Sequence, residues 1–205
     1  MRWLFLLMML RHALLHAQLQ DSAYAGGGAV SLGVRSAFSF FNDARWNDVG
    51  LGTGGQVRLQ LSDRVNTDWY LDFLSGTTGN YGHRRDLHIG WSVLFYPIDP
   101  ATTRRVKPFI LAGHCFDNAR LSSKTDANVR AERWSSAMQA GVGTHLLVGT
   151  RSDVSLVAQY MIHLGTDIHA HDEAGVVSFE QERGESLEGH LLVHVSYNYI
   201  LFHAW

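Results

Sequence analysis

Residues 186–205 read SLEGHLLVHVSYNYILFHAW. Leu187, Leu191, Val193, Val195, Tyr197, Tyr199 and Leu201 fall on one parity, and Glu188, His190, His194, Ser196 and Asn198 fall on the other. Successive side chains of a strand point to opposite faces, so this alternation makes residues 186–202 a strand with one apolar and one polar face. The strand runs to the chain end and finishes in an aromatic residue, Trp205.

The same period of two recurs upstream in seven further segments. Residues 29–40 set Val30, Leu32, Val34, Phe38 and Phe40 against Arg35 and small residues. Residues 54–61 set Val57, Leu59 and Leu61 against Gln56, Arg58 and Gln60, and residues 67–74 set Trp69, Leu71 and Phe73 against Asp68, Tyr70 and Asp72. Residues 86–96 oppose Leu87, Ile89, Trp91, Val93 and Phe95 to Asp86, His88, Gly90 and Ser92. Residues 107–116 are apolar on both faces; the reading puts Phe109, Leu111 and Cys115 outward and His114 inward. Residues 134–147 oppose Met138, Ala140, Val142 and Leu146 to Gln139, Gly141, Gly143 and His145. Residues 154–164 oppose Val154, Leu156, Ala158, Tyr160 and Ile162 to Ser155, Gln159 and His163.

The connections alternate in length. Residues 62–66 and 148–153 are tight turns, and residues 97–106 carry two of the three prolines. Longer segments lie between them at 41–50, 75–85, 117–133 and 165–185, rich in Gly, Asn, Asp, Ser and charge, the composition of solvated loops.

The formal net charge of -2 over 205 residues points to no nucleic-acid partner. The single cysteine, Cys115, excludes an intrachain disulfide. At the N-terminus, Arg2 and the short apolar run after it read as a secretory signal, residues 1–17, with cleavage after Ala17 or as late as Ala25. That run is too short for a membrane-spanning helix, and no apolar run of about 18 residues follows it. A chain of this kind enters a membrane as a closed barrel or not at all.

Alternation alone does not say whether the apolar face meets a dry core or lipid, since a soluble lipocalin-like barrel gives a similar pattern. Four features favour lipid. The polar faces are poor in Lys and Glu, and Arg58 can meet Asp68 or Asp72 across a hairpin, as a narrow polar lumen requires. Trp69, Trp91, Phe95, Tyr160, Tyr197 and Tyr199 sit on the apolar faces, in the manner of interfacial girdles. Short and long hairpins alternate. The terminal strand ends at Trp205.

That ending, Tyr197-Asn198-Tyr199 before it and Lys107-Pro108-Phe109-Ile110-Leu111-Ala112-Gly113 resemble the small outer-membrane barrels of the OmpA/OmpX/OmpW type over residues 26–205. His203 departs from the usual apolar pattern of their terminal strand. The resemblance implies an all-β, eight-stranded antiparallel up-and-down transmembrane β-barrel in a Gram-negative outer membrane. It also implies contact with lipid bilayer and lipopolysaccharide, recognition of the last strand by the barrel-insertion machinery, and a monomer. It carries no activity with it.

An eight-stranded barrel is just wide enough for its own side chains, so Tyr70, His88, His114 and His145 are expected to fill it. His163, His190 and His194 also fall on inward faces. The functional expectation is a non-enzymatic protein with a structural or surface-interaction role in its long loops, needing no cofactor. A lipid A deacylase-like hydrolase and a narrow ion channel are the alternatives. For the hydrolase, Met161-Ile162-His163-Leu164-Gly165 lacks the His-x-Ser-Asn pattern of the deacylases, and no sequence motif ties a Ser to a His. For metal, His169 and His171 with Asp172 form an H-x-H segment beside a carboxylate in the last long loop.

Overall fold

The computed structural model describes residues 26–41, 49–78, 82–98, 105–126, 128–165, 167–173, 176–182 and 189–205. The segment read as a signal lies outside them. The strands are β1 (Ala29–Phe41), β2 (Val49–Gln60), β3 (Val65–Thr78), β4 (Gly82–Phe95), β5 (Val106–Ser123), β6 (Arg130–Leu147), β7 (Ser152–Leu164), β8 (Asp167–Glu173), β9 (Val176–Glu182) and β10 (Gly189–His203). Eight of them close into an antiparallel barrel in the order β1-β10-β7-β6-β5-β4-β3-β2, the architecture that the resemblance implies.

The register fixes the bore. Starting at Leu59 on β2, paired residues run through Thr67, Val93, Ala112, Ala140, Tyr160, Leu191 and Phe40 back to β2 at Val49. The row returns ten residues from its start, from position 59 to 49. Eight strands with that stagger tilt by roughly 40° and leave room for side chains alone.

The surface is inverted relative to a water-soluble barrel. Leu32, Val34, Leu51, Phe73, Ile110, Val142 and Tyr197 are exposed on the outer wall, while Arg35, Gln56, Arg58, Asp72, His88, Asp153 and Asn198 are buried within. An apolar belt on this scale, around a polar centre, is suited to hydrocarbon and not to water. Closure matters for the same reason, because it leaves no strand edge whose N–H and C=O groups face lipid.

Strand β5 corrects the sequence reading. Phe109, Leu111 and Cys115 point inward and are buried, while Ile110 and Phe116 are exposed. His114 shares the outward parity and is half-buried. The deciding residues are Lys107 and Asp117, both buried and both on the odd parity. A charge belongs with the polar lumen, so Phe109, Leu111 and Cys115 follow it inside.

The long loops are corrected too. Strands β5 and β6 continue pairing to Ser122 opposite Arg130, deep into the segment read as a loop at 117–133. Pairing of β3 with β4 likewise continues to Thr78 opposite Gly82, and β2 begins at Val49, five residues earlier than the alternation suggested. The segment 165–185 contains the β8–β9 hairpin. Gly165, at φ +127°, lets the chain leave β7 for that hairpin. Ile168 then packs with Ala119 and Leu121, flanked by Ala131 and Phe179. One end of the barrel therefore carries the start of β1, the end of β10 and the tight turns at 61–64 and 148–151, and the other carries the extended hairpins.

Val142 stands 60% exposed on the apolar face of β6. Val142→Arg is expected to destabilise the barrel by about 2–4 kcal/mol in lipid vesicles, read by urea unfolding. A change within about 0.5 kcal/mol, as at a water-facing position, contradicts a lipid-facing wall.

Candidate functional site

The lumen holds three layers of polar side chains. Nearest the tight-turn end, Arg58 reaches Asp68 at 2.9 Å and Asp153 at 3.1 Å, and donates to Ser155 Oγ at 3.1 Å. Asn198 donates to Asp153 at 2.9 Å and accepts from Gln56 at 2.6 Å. His145 shares hydrogen bonds with the Tyr96 hydroxyl and Ser155 Oγ, each at 2.7 Å. A cavity of about 20 Å³ beside Arg58, Asn66, Tyr96, Lys107 and His145 has room for about one water. Of the two acids expected opposite Arg58, Asp68 takes that place and Asp72 does not.

In the middle layer, Asp72 pairs with Arg35 at 3.1 Å. The Arg35 guanidinium lies 4.2 Å from the centre of the Tyr70 ring, a cation–π contact. Tyr70 donates to Gln139 Oε1 at 2.6 Å, and Gln139 donates to Ser92 at 2.8 Å. Gly90 is required here, because a Cβ at this position would collide with the Tyr70 hydroxyl.

Toward the hairpin end, Asp117 is approached by His88 Nε2 at 3.3 Å, His163 Nδ1 at 3.4 Å and Arg133 at 4.0 Å. His163 Nε2 and His190 Nδ1 share a hydrogen bond at 3.1 Å, and His88 stacks on His190. His194 is 2% exposed, and neither ring nitrogen has a hydrogen-bond partner among the described residues. The inward histidines expected from sequence are thus inside, His114 excepted. Among the described residues no group of three or more His, Cys, Asp or Glu is arranged to hold a metal ion. His169, His171 and Asp172 lie on β8, paired with Glu180, Ser178 and Val177 on β9; their side chains lie outside the described residues.

Two features on the outer wall escaped sequence reasoning. His114 on β5 and Ser136 on β6 form a hydrogen bond at 2.6 Å between Nε2 and Oγ, amid the exposed Trp91, Phe116, Met138 and Leu164. Only the β5–β6 register brings them together, across 22 residues of sequence. Among the described residues His114 makes no further hydrogen bond, so the pair has no acidic third member there. Further along the same strands, Arg120 pairs with Glu132 at 3.1 Å, both exposed. Asn118 and Arg120 hold the Glu132 carboxyl below the usual carboxylate range by hydrogen bonding and charge.

No family model matches this sequence, and no curated protein matches it. Solved structures do resemble it. Neisserial surface protein A matches with a TM-score of 0.59 at 12% identity, over 85% of this chain and 99% of that one. OprG, an outer membrane protein of Pseudomonas aeruginosa, matches with a TM-score of 0.56 at 12% identity, over 88% and 98%. A major outer membrane protein of Thermus thermophilus matches at 0.55 and 11% identity, over 83% and 98%. The shared property is the small closed barrel.

Removing the hub of the first layer leaves the buried Asp153 and the partly exposed Asp68 without their arginine. Arg58→Ala is expected to cost about 3–5 kcal/mol of unfolding free energy. His194→Leu, which removes polar atoms that have no partner in the wall, is expected to change stability by no more than about 1 kcal/mol. Urea titration of the refolded barrel measures both.

Proposed function

We propose that this chain is a non-enzymatic outer-membrane protein of a Gram-negative envelope, monomeric in the bilayer, acting through the structures at its hairpin end. The observation that supports this most is the inverted cross-section, with an apolar outer belt around a polar, side-chain-filled centre. The extended β5–β6 pair and the β8–β9 hairpin gather at one end, which gives a rigid scaffold for surface recognition. Neisserial surface protein A is by name a surface protein and has a similar barrel. In this reading the terminal strand β10 is what the insertion machinery recognises, and the hairpin end faces lipopolysaccharide. The metal reading of His169, His171 and Asp172 stays a proposal on the hairpin, tested by zinc uptake of the protein with and without His169→Ala and His171→Ala.

Cell fractionation with a gel mobility assay tests the location. The protein is expected in the outer-membrane fraction and to change mobility only after boiling in SDS. Recovery as a soluble periplasmic protein with no such shift overturns the proposal. The three packed layers also lead to an expectation of no steady ion conductance in a planar bilayer.

One observation favours a second reading. The Ser136–His114 pair is the geometry of a base-activated nucleophile, and it stands on the outer wall among exposed apolar side chains. Acyl release from lipid A or phospholipid by the refolded protein, abolished by Ser136→Ala, supports a hydrolase. No release from either lipid leaves the pair as two polar groups satisfying one another in hydrocarbon.

A further inference from the structure

Arg85 on β4, Arg120 on β5 and Arg130 on β6 all carry the outward parity of their strands and are exposed. The register sets Arg85 directly opposite Arg120, Arg120 opposite Glu132, and Arg130 opposite Ser122. Together they line an open groove of about 550 Å³ on the outer wall. Each arginine stands four residues beyond an exposed apolar side chain of its own strand: Ile89, Phe116 and Trp134. At about 3.3 Å per residue and a tilt of roughly 40°, the three guanidinium groups sit on the order of 10 Å beyond the belt. The headgroup layer extends roughly 5–8 Å past the hydrocarbon, within reach of an arginine side chain folded back toward the belt.

Charge singles out the occupant. Three guanidinium groups face one carboxylate, Glu132, which Arg120 and Asn118 engage at 3.1 and 2.9 Å. Like charges directly opposite across a sheet repel, so an anion placed between Arg85 and Arg120 relieves that repulsion. A guanidinium fork matches two phosphate oxygens. Because the exposed Phe116 and Trp134 lie on the same two strands, four residues from Arg120 and Arg130 toward the apolar belt, the anion that suits the site carries acyl chains.

We propose that Arg85, Arg120 and Arg130 form a binding site for the phosphate of a membrane-lipid headgroup whose acyl chains lie on the Phe116–Trp134 face. The proposal rests on the outer-membrane reading above.

The test uses the refolded full barrel in phosphatidylcholine nanodiscs doped with bis-phosphorylated lipid A or with its dephosphorylated form. Lipid retained through purification is counted by native mass spectrometry. The expected result is preferential retention of the phosphorylated lipid, falling by about fivefold for each arginine removed in Arg85→Gln, Arg120→Gln and Arg130→Gln at low salt. Glu132→Gln is expected to raise retention. Equal retention of both lipids, or no loss in the triple variant, overturns the site. Displacement of the lipid by inorganic phosphate at equal concentration overturns the assignment to a lipid headgroup. The boiling-dependent mobility shift is scored on every sample: a wild-type protein that fails to insert overturns the membrane reading and this site with it, whereas an inserted barrel without preference overturns the site alone.

Discussion

In hydrocarbon no water is available to satisfy a free N–H or C=O, so a sheet that crosses a membrane must close on itself. Everything else in this chain follows from that closure at a stagger of ten residues. The bore it leaves is filled by single side chains, and large residues lie against glycines, as Tyr70 does against Gly90. Charges inside so narrow a space must find partners, which is why Arg58 stands between Asp68 and Asp153, and Arg35 beside Asp72. The wall outside is free to be apolar along its whole middle.

Closure also decides where function can reside. A lumen occupied by three layers of packed polar side chains has no room for a large solute. What remains accessible is the outer wall and the hairpin end. On β5 and β6 the wall offers the Ser136–His114 hydrogen bond and, beyond it, the arginine groove. Both lie on β5 and β6, the two longest strands, whose extra length carries polar residues past the belt.

Much of this was legible in the sequence, because a period of two survives any uncertainty about strand ends. The faces of β1, β2, β3, β4, β6, β7 and β10 follow from it directly. Strand β5 misled because Phe109, Leu111 and Cys115 are as apolar as Ile110 and Phe116; the parity of Lys107 and Asp117 is the signal that separates them. The segment 117–133 read as a loop because charged residues alternate there with small ones. The Arg120–Glu132 pairing that extends the hairpin becomes visible only with the register. The β8–β9 hairpin was hidden in polar composition, although Val176, Val177 and Phe179 are strand formers. Ser136 and His114 belong to no motif, since their proximity is a property of pairing between strands and not of spacing within one.

The central claim is that one parity of each strand meets lipid and the other meets a dry, packed lumen. Spin labels placed one at a time along β10, from position 191 to 199, in a Cys115→Ala background, measure it directly through collision rates with oxygen and with a water-soluble nickel chelate. At odd positions such as Val193, Val195 and Tyr197 the account expects high oxygen and low nickel collision rates. At even positions such as His194, Ser196 and Asn198, which are buried, it expects both to be low. High nickel collision rates at the odd positions, or no alternation along the strand, would contradict it.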